Sequence, residues 1–66
     1  MNEYFKQLNL EFGDYIYIQN ERGEGYYGTY ENEYNSSNET FKFSNHSNGK
    51  VEVIKLEKLQ QLTKVQ

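Results

Sequence analysis

Residues 23–30, Gly-Glu-Gly-Tyr-Tyr-Gly-Thr-Tyr (GEGYYGTY), decide the fold. Gly23, Gly25 and Gly28 match Gly-x-Gly-x-x-Gly, the spacing of a nucleotide-phosphate loop. Such a loop must lead into a helix, whose N-terminal amides meet the pyrophosphate. Here Tyr26 onward is rich in β-formers, and a chain of 66 residues has no room for the strand–helix–strand units that would surround the loop. The partner motifs of a kinase-type glycine loop are absent as well. The stretch therefore reads as a turn, with Gly23 and Gly25 supplying positive φ, followed by a strand. In that strand Tyr26, Gly28, Tyr30 and Tyr34 share one face, and Tyr27, Thr29, Glu31 and Glu33 share the other. A mid-strand glycine marks a bend or a close backbone approach.

Working outward, YIYIQN (15–20) alternates with period two. Isoleucine has no polar atom to satisfy, so Ile16 and Ile18 are placed inside and Tyr15 and Tyr17 outside. Upstream, Tyr4, Phe5 and Leu8 share one face of a short helix over 2–9. Leu10 and Phe12 then lead into Gly13. Downstream, the strand that begins at Tyr26 is expected to run to Asn35. TFKFSNHS and KVEVIKL flank Asn48-Gly49, a strong hairpin signal. A two-residue turn would set Phe43 against Ile54 and Phe41 against Leu56. It would also set Lys42 against Lys55, an unfavourable pair that a bulge or longer loop would relieve. Leu59, Leu62 and Val65 recur every third residue, which predicts a short helical or turn segment that could instead add a short strand. The expected core takes in Leu10, Phe12, Ile16, Ile18, Phe41, Phe43, Val51, Val53, Ile54, Leu56, Leu59 and Leu62. The fold class is mainly β: one domain over 1–66, a small, strongly bent antiparallel sheet or barrel of four to five strands. A short N-terminal helix and the C-terminal segment complete it.

GDYIYI (13–18), GYYGTY (25–30) and VEVIKLEKLQQL (51–62) together resemble the Sm-like small barrels. The resemblance implies a bent barrel that assembles into rings and binds RNA. Asn32 and Asn35 lie where that family places part of its RNA pocket. The family's basic-Gly pair near the C-terminus has no counterpart here.

Composition narrows function. The net charge is −3, split into −6 over residues 1–40 and +3 over residues 41–66. That dipole favours self-association and disfavours bulk nucleic acid, which needs clustered Lys and Arg. With no cysteine and one histidine, His46, neither a disulfide nor a multi-histidine metal site can form. A core this small often gains stability by homo-oligomerisation. No run approaches the roughly 20 apolar residues of a membrane helix, and no signal peptide opens the chain, so the expectation is a cytoplasmic protein. No nucleophile–base pairing is evident, so no enzyme activity and no cofactor are expected.

Seven tyrosines exceed what the core requires, and exposed aromatic residues mark contact surfaces. The candidate ligand-binding residues are Arg22, Gly23, Gly25, Tyr26, Tyr27 and Tyr30. A ring would stack on the tyrosines while Arg22 and the turn amides hold a phosphate. In size, acidity and aromatic content the chain resembles phage-encoded counter-defence proteins, some of which sequester nucleotide-derived immune signals. The leading expectation is therefore a non-enzymatic binder of a nucleotide-like small molecule in the host cytoplasm. Two alternatives stand beside it. One is an acidic inhibitor or adaptor of a host protein, and the other is an Sm-like RNA-binding oligomer.

Overall fold

A computed structural model describes residues 2–65. A short helix, α1 (Asn2–Leu8), precedes β1 (Tyr15–Asn20), β2 (Gly25–Tyr30), β3 (Thr40–Asn45) and β4 (Lys50–Lys55). A 3-10 turn, Leu56–Lys58, then leads into β5 (Leu59–Lys64). All five strands join one antiparallel sheet in the order β4-β3-β2-β1-β5. The mainly β class with a short N-terminal helix holds.

β4 and β5 lie at opposite ends of that order, yet Ile54 of β4 and Leu59 of β5 line one small cavity. The sheet must therefore curl until its edges approach. Its inner face holds the core: Ile16, Ile18, Tyr30, Phe41, Phe43, Leu56 and Leu62 are buried. Phe5 of α1 closes one end. Its ring stacks on Tyr34 at 4.8 Å and Phe41 at 5.6 Å, and meets Tyr30 edge-on at 6.2 Å. Of the predicted helical face, Phe5 is buried, Leu8 is partly buried and Tyr4 is exposed.

Several expectations need correction. The second strand stops at Tyr30, because Asn32 and Glu33 take consecutive left-handed conformations, φ 67° and 58°. Hydrogen bonds from Glu31 N to Lys42 O and from Lys42 N to Asn32 O carry the chain past this detour, and Tyr34 returns to Phe5. The β3–β4 hairpin pairs Asn45 with Lys50 through a four-residue loop, so Phe41 faces Ile54 and Phe43 faces Glu52. This register is shifted by two residues from a two-residue turn. A shift of two preserves which face each side chain takes, and Lys42 now opposes Val53 instead of Lys55. Asn45 and Asn48 hold the loop: Asn45 Oδ1 accepts from Ser47 N at 2.8 Å, and Asn48 Oδ1 from Lys50 N at 2.9 Å.

Val51 and Val53 are exposed, not core. Strict alternation cannot turn both them and Ile54 inward, and Ile54 packs against the core. Phe12 is 65% exposed because it sits at the tip of a turn fastened by Asp14 N to Glu11 O and Glu11 N to Asp14 Oδ2. The C-terminal three-residue spacing is not helical beyond Lys58. A register shift at Gln19/Asn20 places Leu62 opposite Ile18 and Leu59 opposite Asn20. The extra residue lets side chains three apart face the same way within a strand.

Candidate functional site

β1 and β2 are neighbours in the middle of the sheet, and their odd-numbered residues point away from the core. Tyr17 lies directly opposite Tyr27, and Tyr15 opposite Thr29. Ring centroids are 4.9 Å apart for Tyr17–Tyr27 and 5.8 Å for Tyr15–Tyr27. The β3–β4 loop brings a fourth ring. His46 N donates to Tyr27 O at 3.0 Å, and the imidazole stacks on Tyr15 at 5.7 Å and 19°. A hydrogen bond of 2.9 Å between His46 Nε2 and Thr29 Oγ1 sets the ring's orientation. Tyr27 is 50% exposed and Tyr15 38%. Four rings thus form one continuous patch on the solvent side of the sheet.

The neighbours of the patch are uncharged. Register places Thr63 beside Tyr17, Ser44 beside Thr29 and Val51 beside Ser44. Lys42, on the same face two residues from Ser44 in β3, is held by Glu33 at 3.1 Å. Such a surface offers ring faces rimmed by hydroxyls, which suits stacking on a flat partner and gives little attraction to bare phosphate.

The six residues singled out in the sequence do not converge. Tyr27 belongs to the patch. Tyr26 points inward and half-buried, because consecutive strand residues face opposite ways. Tyr30 is 5% exposed and inside the core, so it offers no ring to a ligand; burial raises its phenol pKa above the usual tyrosine value. Gly25 is in β2 rather than in the turn and does not need positive φ. A Cβ there would strike the Tyr17 hydroxyl, so the glycine makes room for a patch residue.

Gly23 does take φ 86°, but its turn offers no phosphate cradle. Asn20 consumes the amides: its carbonyl accepts from Gly23 N, and its Oδ1 from Arg22 N and Glu24 N, all at 3.0 Å. Arg22 is bound to Glu24 at 3.2 Å. The Glu24 carboxyl is held below its ordinary pKa first by the hydrogen bond from Asn20 and then by the Arg22 charge. Arg22 stands instead at the mouth of the curled sheet, where Asn20, Glu21 and Lys58 share a cavity with it.

His46 is the member of the patch that sequence reasoning missed. The loop length that places it against Tyr15 depends on the β3–β4 register, and no local motif signals that. Among the described residues, no cluster of His, Asp and Glu could hold a metal ion, and no helix is long and apolar enough to cross a membrane. Compared with family models, with curated proteins and with solved structures, the chain has no match in any of the three.

Proposed function

We propose that this protein is a non-enzymatic binding protein that holds a ring-bearing, nucleotide-like small molecule against Tyr15, Tyr17, Tyr27 and His46. The observation that carries this reading is the continuity of four rings on a sheet face that the core does not use. Base–aromatic stacking contributes roughly 1–3 kcal/mol per base and requires no catalytic group. The biological setting we assign is sequestration of a nucleotide-derived signal by a phage-encoded inhibitor of host immunity. In the same reading the chain works as a homo-oligomer, and the edge strands β4 and β5 are where a second copy would continue the sheet.

The test is a thermal melt with purine mononucleotides and cyclic dinucleotides. At a hundredfold excess over Kd, a ligand stabilises by about 2.7 kcal/mol, which raises the Tm of a domain this size by about 10 °C or more. Tyr27→Ala should reduce that rise. No rise with any ligand, or a rise of the same size in Tyr27→Ala as in wild type, defeats the reading.

Val51 and Val53, exposed on the same face, favour a second occupant: a host protein docking over the rings and the β4 edge. Recovery of a defined partner by wild type, but not by Val53→Lys, would select this reading over the first.

A further inference from the structure

The mouth of the curled sheet carries a second site, independent of the outer rings. α1 closes the Tyr30 end of the inner face through Phe5, whereas at the Tyr26 end Ile18, Tyr26, Ile54 and Leu59 line a cavity of about 240 Å³. Three of these, Tyr26, Ile54 and Leu59, pack against the core yet stay partly exposed. The cause lies in the sheet. β4 and β5 approach here without sharing a ladder, and the Gln19/Asn20 register shift displaces β5 at this end. The inner apolar surface is left open along that seam.

A second cavity of about 370 Å³ adjoins it, and the two share Asn20 and Lys58. Taken together they reach the size of small-molecule clefts, roughly 300–1,000 Å³. The chemistry changes from one to the other. The first holds the apolar side chains Ile18, Tyr26, Val53, Ile54 and Leu59 beside Glu52, Lys55 and Lys58, while the second is lined by the polar and charged Asn20, Glu21, Arg22 and Lys58.

Charge gives the polarity of the ligand. Arg22, Lys55 and Lys58 gather here, with Glu21 and Glu52 in the same lining and Glu24 and Glu57 paired to Arg22 and Lys55. Glu52 is drawn toward the β3–β4 loop by Asn48 Nδ2 at 3.0 Å. Arg22 and Lys55 are held only by exposed pairs, to Glu24 at 3.2 Å and Glu57 at 3.5 Å. Exposed pairs of this kind are weak enough for an incoming anion to displace. Lys58 forms no ion pair among the described residues and lines both cavities, so it stands where the apolar and charged compartments meet.

We infer that the mouth binds a small aromatic phosphate of nucleoside-monophosphate size. Its ring lies against Tyr26, Ile54 and Leu59, and its phosphate sits on Lys58 with Arg22 released from Glu24. Two cations on one compartment match a dianion better than a carboxylate. The backbone of the turn takes no part, because Asn20 has already consumed its amides.

The experiment titrates the ¹⁵N-labelled full chain with AMP, adenosine and inorganic phosphate. AMP should move the amides of Ile18, Tyr26, Ile54, Lys58 and Leu59. Adenosine should bind about tenfold more weakly, and phosphate alone should give no saturable shift. Lys58→Gln should weaken AMP about tenfold, the loss of one charge-assisted hydrogen bond. Tyr26→Leu keeps the apolar fill but removes the ring, and should weaken AMP without changing the melting temperature in its absence by more than a few degrees. Tyr27→Ala should leave these shifts unchanged, which separates this site from the outer patch. AMP shifts confined to Tyr15, Tyr17 and Tyr27, equal affinity for AMP and adenosine, or no effect of Lys58→Gln would each overturn the inference.

Discussion

Gly28→Ala and Gly25→Ala are chemically identical changes three residues apart in one strand, and the structure assigns them different outcomes. Neither position has positive φ, so the backbone tolerates alanine at both. At Gly28 the new methyl meets the carbonyl oxygen of Ser44 and the ring of Phe43. The first is backbone, and the second is fully buried and packed, so neither can turn aside. Relief requires β2 and β3 to separate, and that ladder consists of Gly28–Asn45, Thr29–Ser44 and Tyr30–Phe43. Overpacking of this kind costs roughly 1–3 kcal/mol. Restricting the unfolded chain returns about 0.4–1 kcal/mol. The net loss, about 1.3 kcal/mol at the middle of these ranges, lowers the Tm of a domain this size by about 5–10 °C.

At Gly25 the obstacle is the hydroxyl end of Tyr17, a partly exposed side chain that can swing. Its stability cost should stay under about 1 kcal/mol, but Tyr17 leaves Tyr27 and the outer patch breaks up. The assay is a circular-dichroism melt of both variants, with urea unfolding to confirm the free energies. Gly28→Ala melting at or above wild type would refute the close-approach argument. A Gly25→Ala variant that falls as far as Gly28→Ala would refute the distinction between a movable and a fixed neighbour.

Two further outcomes follow from the same structure. Phe5→Ala should cost about 3 kcal/mol or more by urea unfolding, because Tyr30, Tyr34 and Phe41 lose their shared neighbour; a loss below about 1 kcal/mol would mean that α1 does not close the core. The Asp14 carboxyl is held below its usual pKa, first by the Glu11 N–H and then by Lys64, so it stabilises the fold above the unfolded value of about 3.9 and ceases to as pH falls through the folded value. Asp14→Asn should therefore melt below wild type at pH 7, with the gap closing as pH drops toward 2; a gap constant across that range would remove Asp14 from the account.

The legible part of the fold was whatever depended on local period. Ile16 and Ile18 alternate with tyrosines, and the lack of a polar atom on isoleucine decides which set faces inward. The alternation also placed Tyr15, Tyr17 and Tyr27 outside, three of the four rings of the patch. What local period could not give was register. Nothing near Asn48-Gly49 says whether two residues or four close the loop, because the hairpin settles the matter across the sheet by moving Lys42 away from Lys55. His46 joined Tyr15 as a consequence of that choice. The Leu59–Leu62 spacing leaves helix, turn and strand open for a related reason. A bulge opposite Asn20 gives a strand the three-residue period of a helix turn. Tyr26, Tyr27 and Tyr30 looked like one site because they are close in sequence, but an extended chain sends them to the mouth, the patch and the core.

Stability does not account for the outer rings. The buried residues Phe5, Ile16, Ile18, Tyr30, Phe41, Phe43, Leu56 and Leu62 face inward or cap the inner face, and none belongs to the patch. Threonine at positions 15, 17 and 27 would satisfy strand propensity as tyrosine does. It would also spare this sheet face the risk of non-specific adhesion. The ring contacts contribute only about 0.5–1.5 kcal/mol each, and half-exposed pairs lie at the low end. Gly25 sharpens the point. Glycine has low β propensity even at the first position of β2. Its place beneath the Tyr17 hydroxyl means that the chain gives up strand stability to seat a ring on the solvent side. Presentation of rings to a ligand, as proposed above, would account for that arrangement.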